Sequence, residues 1–285
     1  MDSRERTFLA LDHQAGDRIP IDFWASPSVK RKLERELGTS YVQFLDRYDV
    51  DLRYIAGPEY VGPPLQEGRD IWGVKRTLVE VSVPGGTESY REVAESPLAD
   101  MVSVEQIERY AGWPSPDDLD YSVVEAQCDA IRDQGRVVVF MGDRLNRVAQ
   151  LKPAMYLRGL ENAVIDRALR PDMARAILRR IKSFYLVYLE RILEAAKGKI
   201  DIVLTGDDFG SQKGLLTSPQ TWRAFLQPGF VEYIALIKRY GAVAMHHTCG
   251  SVVDLSLIHI SEPTRQVLVS RMPSCACKGG GGGGG

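Results

Sequence analysis

Residues 244–266 read AMHHTCGSVVDLSLIHISEPTRQ, and the fold turns on where the folded chain stops inside them. The first part completes a strand-length apolar run, GAVAMHHTC (241–249), with two histidines and a cysteine at its end. Side chains alternate along a strand, so His247 and Cys249 share one face while His246 and Thr248 share the other. From Leu255 onward no amphipathic period of useful length remains. Either the stretch is half of a metal site that continues into Cys275 and Cys277, or it is the last strand the sequence specifies.

Four further apolar runs precede it: RIPIDFW (18–24), VDLRYIA (50–56), RVVVFMG (136–142) and KIDIVLTGDD (199–208). Each is rich in Val, Ile or aromatic residues and nearly unbroken in apolar character, as parallel strands buried on both faces are. Helical patterns separate them. Residues 171–198 open with Pro171 at a first-turn position and close near Gly198. Residues 217–241 start with Ser218 as cap and Pro219, and Pro228 should kink or split them. In residues 69–93, "PGG" between alternating segments predicts a β-hairpin excursion. This alternation favours an α/β fold with a parallel sheet of five visible strands.

The remainder, 255–285, has a different character. LSLIHISEPTR resembles the translation of a transposon-end adapter used in sequencing libraries. SRMPS (270–274) resembles the flow-cell end of the same adapter, and the final seven residues are all glycine. Such glycines cannot offset the entropy of ordering. The expectation is therefore that residues 1–254 carry the fold and 255–285 are an adapter-derived, disordered tail, excluded from fold reasoning. His259, Cys275 and Cys277 leave the ligand list with it.

The totals bound the function class. Apolar content of 44% and charged content of 26% describe a chain able to bury a core. A net charge of −2 argues against nucleic acid or an anionic membrane as partner. No apolar run approaches the roughly 18 residues of a membrane span. The charged start MDSRERTFLALDHQAGDR has no signal-peptide core. Four cysteines do not make a disulfide framework, so a reducing cytoplasm is expected.

Chemistry in such folds collects at the C-terminal ends of strands. Two ends are unusually polar: TGDDFGSQKG, with Asp207 and Asp208, and HHTCG. The His247-x-Cys249 pair offers imidazole and thiolate at a spacing compatible with Zn²⁺, although two ligands do not complete a site. A buried cysteine beside a hydrogen-bonded histidine is the bland alternative. Asp207 and Asp208 are candidate catalytic carboxylates that could orient a substrate or accept a proton, against an Asx turn. Asp17 and Arg18 fit connection chemistry, and Trp24, Trp72, Trp113 and Trp222 fit packing. GDRLNR (142–147) lacks the spacings of a phosphate loop, and no residue is assigned to cofactor binding.

The segments RERTFLALDHQAGDRIPIDFW, DIWGV, ESPLAD, YLRGLEN, GDDFGSQKGLLTSP and HHTCGSV together resemble the uroporphyrinogen decarboxylase superfamily, through nearly all of residues 3–254. That resemblance implies a (β/α)8 TIM barrel, here truncated after about five strands, with its active site at the strand C-termini. It also implies one of two chemistries. Porphyrinogen decarboxylases carry an Arg-rich N-terminal segment and an aspartate at the second strand's end. Here ASPSVKRKLE lacks the arginines, and the aspartate's place falls near Ala56, with Asp51 and Glu59 offset. The cobalamin-dependent methyltransferases instead match at HxCG, where His247 and Cys249 would bind zinc that activates a thiol toward a corrinoid-borne methyl group. The resemblance thus implies a methyltransferase acting on a small-molecule substrate, with a corrinoid free or on a separate carrier protein. The alternatives are a metal-free decarboxylase and a non-catalytic corrinoid-binding protein. Sequencing the source DNA across codon 254 from a long molecule should replace residues 255–285 with a frame running through further strand–helix units; an encoded tail would return Cys275 and Cys277 as ligands.

Overall fold

Four of the five apolar runs form strands of one parallel sheet. The computed structural model describes residues 1–83, 86–142 and 147–255, with the backbone of 268–270. Strands β1 (Leu52–Ile55), β6 (Val137–Phe140), β7 (Ile202–Gly206) and β8 (Val243–His247) lie side by side in chain order, all parallel. A three-residue strand, β9 (Leu268–Ser270), adds to β8 with Met245 opposite Leu268. Leu255, the first residue of the expected tail 255–285, is instead 1% exposed and part of the main core; apart from it and the backbone of 268–270, that expectation falls outside the described residues, as do His259, Cys275 and Cys277.

The run 18–24, expected as the first strand, does not enter the sheet. Pro20 has no amide hydrogen for a ladder. The Ile21 amide donates to the Asp51 carboxylate (2.7 Å), and the Ile21 carbonyl accepts from the amides of Asp51 (2.9 Å) and Leu52 (3.4 Å). The segment is an extended arm tied to the start of β1.

Between β1 and β6 the chain makes its excursion: β2 (Glu59–Tyr60) pairs antiparallel with β5 (Leu119–Asp120), and β3 (Lys75–Val83) with β4 (Gly86–Glu95). The hairpin is where the alternation predicts it; Pro84 and Gly85 lie outside the described residues. Short helices α1 (Ser3–Leu11), α2 (Pro27–Leu37) and α3 (Tyr41–Arg47) precede β1, and α4 (Val104–Glu108) and α5 (Val124–Arg132) precede β6. Helices α6 (Leu151–Arg158), α7 (Leu160–Leu169) and α8 (Pro171–Ala195) separate β6 from β7. The helix expected over 217–241 is split into α9 (Pro219–Phe225) and α10 (Gln227–Arg239); Pro228 sits in the first turn of α10, where its missing amide hydrogen costs nothing.

Alternation along the strands produces two apolar layers. Val138, Phe140, Val203 and Ala244 face the helices and join the main core with Trp222, Tyr188 and Ile237. Leu52, Val137, Val139, Ile202, Leu204 and Val243 face the other way, with Phe8 and Leu11 of α1 packed against them. Both faces are buried, which is why these runs carry no polar alternation. Full burial of each aliphatic side chain contributes about 1.5–3 kcal/mol.

Polar side chains fix the joints. Asp70 in DIWGV accepts from the amides of Trp72 (3.0 Å) and Val74 (3.1 Å) and from Arg76 (3.0 Å), turning Trp72 inward to 4% exposure. Arg158 in YLRGLEN donates to the carbonyls of Leu98, Ala99 and Met101, pinning ESPLAD to α6. At the N-terminal end of the sheet, Asp201 accepts from Arg4 (2.8 Å), Arg132 (3.1 Å) and the Val138 amide (3.0 Å). Asp51, fully buried, accepts from Arg6 and Arg18 (2.5 Å each). Asp17 and Arg18 are connection residues as expected, Asp17 pairing with Arg6 and Arg18 with Asp49 and Asp51. Burial alone would raise the Asp51 carboxyl, but Arg18, the Ile21 amide and Arg6 hold it below its ordinary range. A depressed pKa adds stability above the ordinary carboxylate value and loses it as pH falls. Asp51→Asn should therefore cost about 3–5 kcal/mol in urea unfolding at neutral pH, with the deficit shrinking as the pH is lowered through the acid range.

Candidate functional site

The segments that leave β7 and β8 are fastened to each other along 207–211 and 247–251. The Asp207 amide donates to the His247 carbonyl (3.0 Å), Phe209 to the Thr248 hydroxyl (2.9 Å), and Ser251 to the Ser211 carbonyl (2.8 Å). Two glycines allow this approach. A Cβ on Gly250, whose φ is +80°, would lie 2.3 Å from the Gly210 carbonyl carbon, and a Cβ on Gly210 would lie 2.7 Å from the Ser251 oxygen. Glycine is needed here for lack of bulk and, at Gly250, for the left-handed backbone.

The fastening brings Asp208, His247 and Cys249 together. One ligand atom from each lies within 4.8 Å of the others. Cys249 Sγ is 3.4 Å from His247 Nε2, and His247 Nε2 is 3.8 Å from Asp208 Oδ1. Asp208 also accepts from the Cys249 amide (3.1 Å), and Lys152 Nζ donates to its second oxygen (2.5 Å). Burial pushes the Asp208 carboxyl up, yet Lys152 and Cys249 outweigh it and hold the group below its ordinary value. His247 is drawn below 6.5, chiefly by burial; Asp208 opposes this, and Arg147 and Lys152 add to it.

The two adjacent aspartates have different positions. Asp208 faces the cluster, whereas Asp207 is 2% exposed and turns into the helix layer. Its carboxylate accepts from the amides of Gln150 (2.8 Å), Leu151 (2.6 Å) and Lys152 (2.8 Å), capping the first turn of α6 from another element. Burial pushes Asp207 up to about 6, against the pull of those three amides. The expected pair of catalytic carboxylates thus resolves into one at the site and one holding the helix beside it.

The strand ends at His247, so the expected alternation holds for His246 and His247, and the segment after it brings Cys249 back to the His247 side. His246 points into the helix layer at 6% exposure, stacked on Phe209 (5.3 Å) and edge-on to Phe230 (4.8 Å), with Nδ1 2.8 Å from Thr205 Oγ1. His247 continues the face of Val243 and Met245 at the sheet's C-terminal end.

Four further side chains around this end had no signal in the sequence. Lys152 reaches Asp208 from α6. Arg147 lies across the end of β7, where a Cβ on Gly206 would be 2.5 Å from its Cδ. Its guanidinium stands 5.9 Å from the ring of Trp24, which is 53% exposed and not packed as expected; Trp72 and Trp222 are buried. Tyr54 of β1 donates to Asp22 on the extended arm (2.7 Å). Burial raises both groups, and Asp22 raises Tyr54 further. Tyr54 and Met245 pack against the same apolar layer, and His247 follows Met245 by two residues on β8, so Tyr54 and His247 lie on one side of the sheet.

No family model matches the sequence, and no curated protein matches it significantly. Among solved structures, a methyltransferase from Methanosarcina mazei is similar with a TM-score of 0.59 and 15% identity, covering 88% of this chain and 71% of that one. At that identity the likeness is one of fold. No helix among the described residues is long and apolar enough to cross a membrane.

The separate roles of the two aspartates can be read from stability. Asp207→Ala should cost about 2–3 kcal/mol in urea unfolding by stranding buried amides. Asp208→Ala, whose partner Lys152 is a third exposed, should cost about 1 kcal/mol or less. Equal losses would contradict this division.

Proposed function

We propose that the chain is a methyl-transfer enzyme built on an arc of a (β/α)8 barrel, with a zinc site formed by Asp208, His247 and Cys249. The observation that carries this reading is the convergence of those three donors at the C-terminal ends of adjacent strands. The strand order supports the barrel: neighbours follow chain order without the reversal of a doubly wound sheet. The likeness in fold to a methyltransferase agrees with it.

The donor set fits zinc in kind and in spacing. Imidazole, thiolate and carboxylate are its common ligands, and ligands at 2.0–2.3 Å around a tetrahedral ion stand about 3.3–3.6 Å apart. The 3.4 and 3.8 Å separations here need little adjustment. Three protein ligands leave a fourth position open, as catalytic zinc sites do. When bound, zinc would lower the pKa of a thiol and hold it as the nucleophilic thiolate.

The surrounding residues prepare that chemistry. Burial lowers the His247 pKa and so favours the neutral imidazole, the form that ligates. Lys152 and the Cys249 amide keep Asp208 ionised and aimed at the cluster. The methyl donor in this reading is a corrinoid, free or on a separate carrier protein, and the acceptor a small molecule.

One observation favours a second reading. The Tyr54–Asp22 pair supplies a carboxylate at the same end of the sheet, as a metal-independent decarboxylase of a tetrapyrrole or related polycarboxylate would need. In a third reading the chain binds corrinoid without catalysis. The three separate in four measurements on the full chain: zinc content by elemental analysis, thiol-dependent demethylation of methylcobalamin, cobalamin binding, and decarboxylation of a porphyrinogen with and without chelator. The zinc methyltransferase predicts about one equivalent of zinc, its loss in His247→Ala and Cys249→Ala, and turnover falling at least about 100-fold. Decarboxylation that survives chelation, or cobalamin binding without turnover in both variants and wild type, would replace it.

A further inference from the structure

The hairpin of β3 and β4 is tied to the molecule at its base. Arg76 Nε donates to Asp70 (3.0 Å), and Val93 packs against the main core. Farther out, over 77–82 and 89–92, no hydrogen bond, ion pair or ring contact joins the hairpin to another element among the described residues. Its apolar side chains stay wet: Val81 is 39% exposed, Tyr90 42% and Leu78 62%. A two-stranded ribbon is marginally stable in water, and a further strand or a covered apolar face is what stabilises one.

One edge of that ribbon is open and unprotected. The Arg76 amide donates away from β4, to the Gly68 carbonyl (2.8 Å). Backbone groups point alternately to the two sides of a strand, so Leu78, Glu80 and Ser82 present their amides and carbonyls on the Gly68 side. The pairing of Val83 with Gly86 across a two-residue turn agrees, since it directs the groups of Thr77, Val79 and Val81 toward β4. No hydrogen bond reaches the outward groups of Leu78, Glu80 and Ser82 among the described residues. Such edges are ordinarily blunted by lysine, proline or a bulge. TLVEVS (77–82) has no lysine, no proline and one charge, and the ladder's irregularity lies below it, between Lys75 and Arg76.

We propose that this edge of β3 pairs antiparallel with the same edge of a second copy of the chain, joining two hairpins into one four-stranded sheet. The register follows from what each alternative would bring together. Residues 68–70 already flank β3 beside Val74, Lys75 and Arg76, so an added strand has room from Thr77 outward. A two-fold axis through Val79 would drive the far end of the partner's β3 into 68–70. An axis through Glu80 would set two carboxylates opposite each other, which destabilises a pair. With the axis through Val81, Glu80 meets the partner's Ser82 and Ser82 meets the partner's Glu80. Each of those pairs exchanges two backbone hydrogen bonds, and no charge faces its like. Tyr90 stands across β4 from Val79, so Tyr90, Val79 and Val81 of both chains line one face of the joint sheet. Arg76 is about 17 Å along the strand from that axis, which leaves the two bodies at opposite ends. The edge of β4 is less suited, because Arg91 and Glu92 lie on it. A second copy is the fitting occupant because the edge complements itself and a two-fold contact closes after two chains. The pairing is independent of the chemistry at the strand ends.

The test is sedimentation velocity of the full chain from about 1 to about 500 µM, the range in which an interface of a few residues associates. The expected result is a reversible approach to twice the monomer mass. Val81→Lys and Val81→Glu each place like charges on the axis and should stay monomeric alone, while an equimolar mixture of the two should form a two-chain species. A wild type that is monomeric throughout, a dimer unchanged in Val81→Lys, or a mixture of the variants that does not associate would overturn the proposal. Hydrogen exchange on the wild type decides independently if the variants do not fold. The amides of Glu80 and Ser82 should exchange several-fold more slowly as the concentration rises, with those of Ser89 and Arg91 unchanged; exchange at Glu80 and Ser82 that ignores concentration removes the pairing.

Discussion

A single carboxylate connects the sheet to the helix that serves the site. Asp207 closes the end of β7 and takes three amides of the first turn of α6. Those amides have no partner within their own helix, and a buried helix start without acceptors is costly. Because the cap comes from the strand, helix and strand end are held in one register. That register sets Lys152 over Asp208 and turns Asp208 outward to His247 and Cys249. Removing the Asp207 cap would change the geometry of the donors next to it, although the Asp207 carboxylate bonds to the α6 amides rather than to those donors.

The close contact of Gly210 with the Gly250–Ser251 turn completes the arrangement. Hydrogen bonds hold the two loops together, and the missing side chains let their backbones touch. Donors from different strands then share one small volume without a disulfide or a long loop. This rigidity suits a metal centre, since ligands held in advance lose little entropy on binding. It also explains why the unlike residues of GDD and HHTCG, some forty positions apart, act as one unit.

Aspartates at opposite ends of the sheet have opposite uses. At the N-terminal end, Asp51 and Asp201 are saturated by arginines and amides and act as fasteners. At the C-terminal end, Asp208 keeps an oxygen near two other donors, and Asp22 meets no arginine but the Tyr54 hydroxyl and the Phe23 amide among the described residues. The difference is one of partners, because all four belong to the ordinary vocabulary of strand ends and turns. In the sequence each is simply an aspartate near an apolar run.

The sequence by itself determined the parallel strands at 52–55, 137–140, 202–206 and 243–247, the hairpin, the long helix from Pro171, and the shared face of His247 and Cys249. These follow from short-range rules: apolar runs, alternation, caps and proline. The same rules misplaced residues 18–24, where a missing amide hydrogen and the pull of Asp51 kept an apolar run out of the sheet. They also could not tell Asp207 from Asp208, because which neighbour faces the core depends on where α6 begins, more than fifty residues away. Lys152, Arg147 and the Tyr54–Asp22 pair were decided only by the tertiary structure. Their roles come from charges and hydrogen bonds between distant segments, and periodicity along the chain carries no record of them.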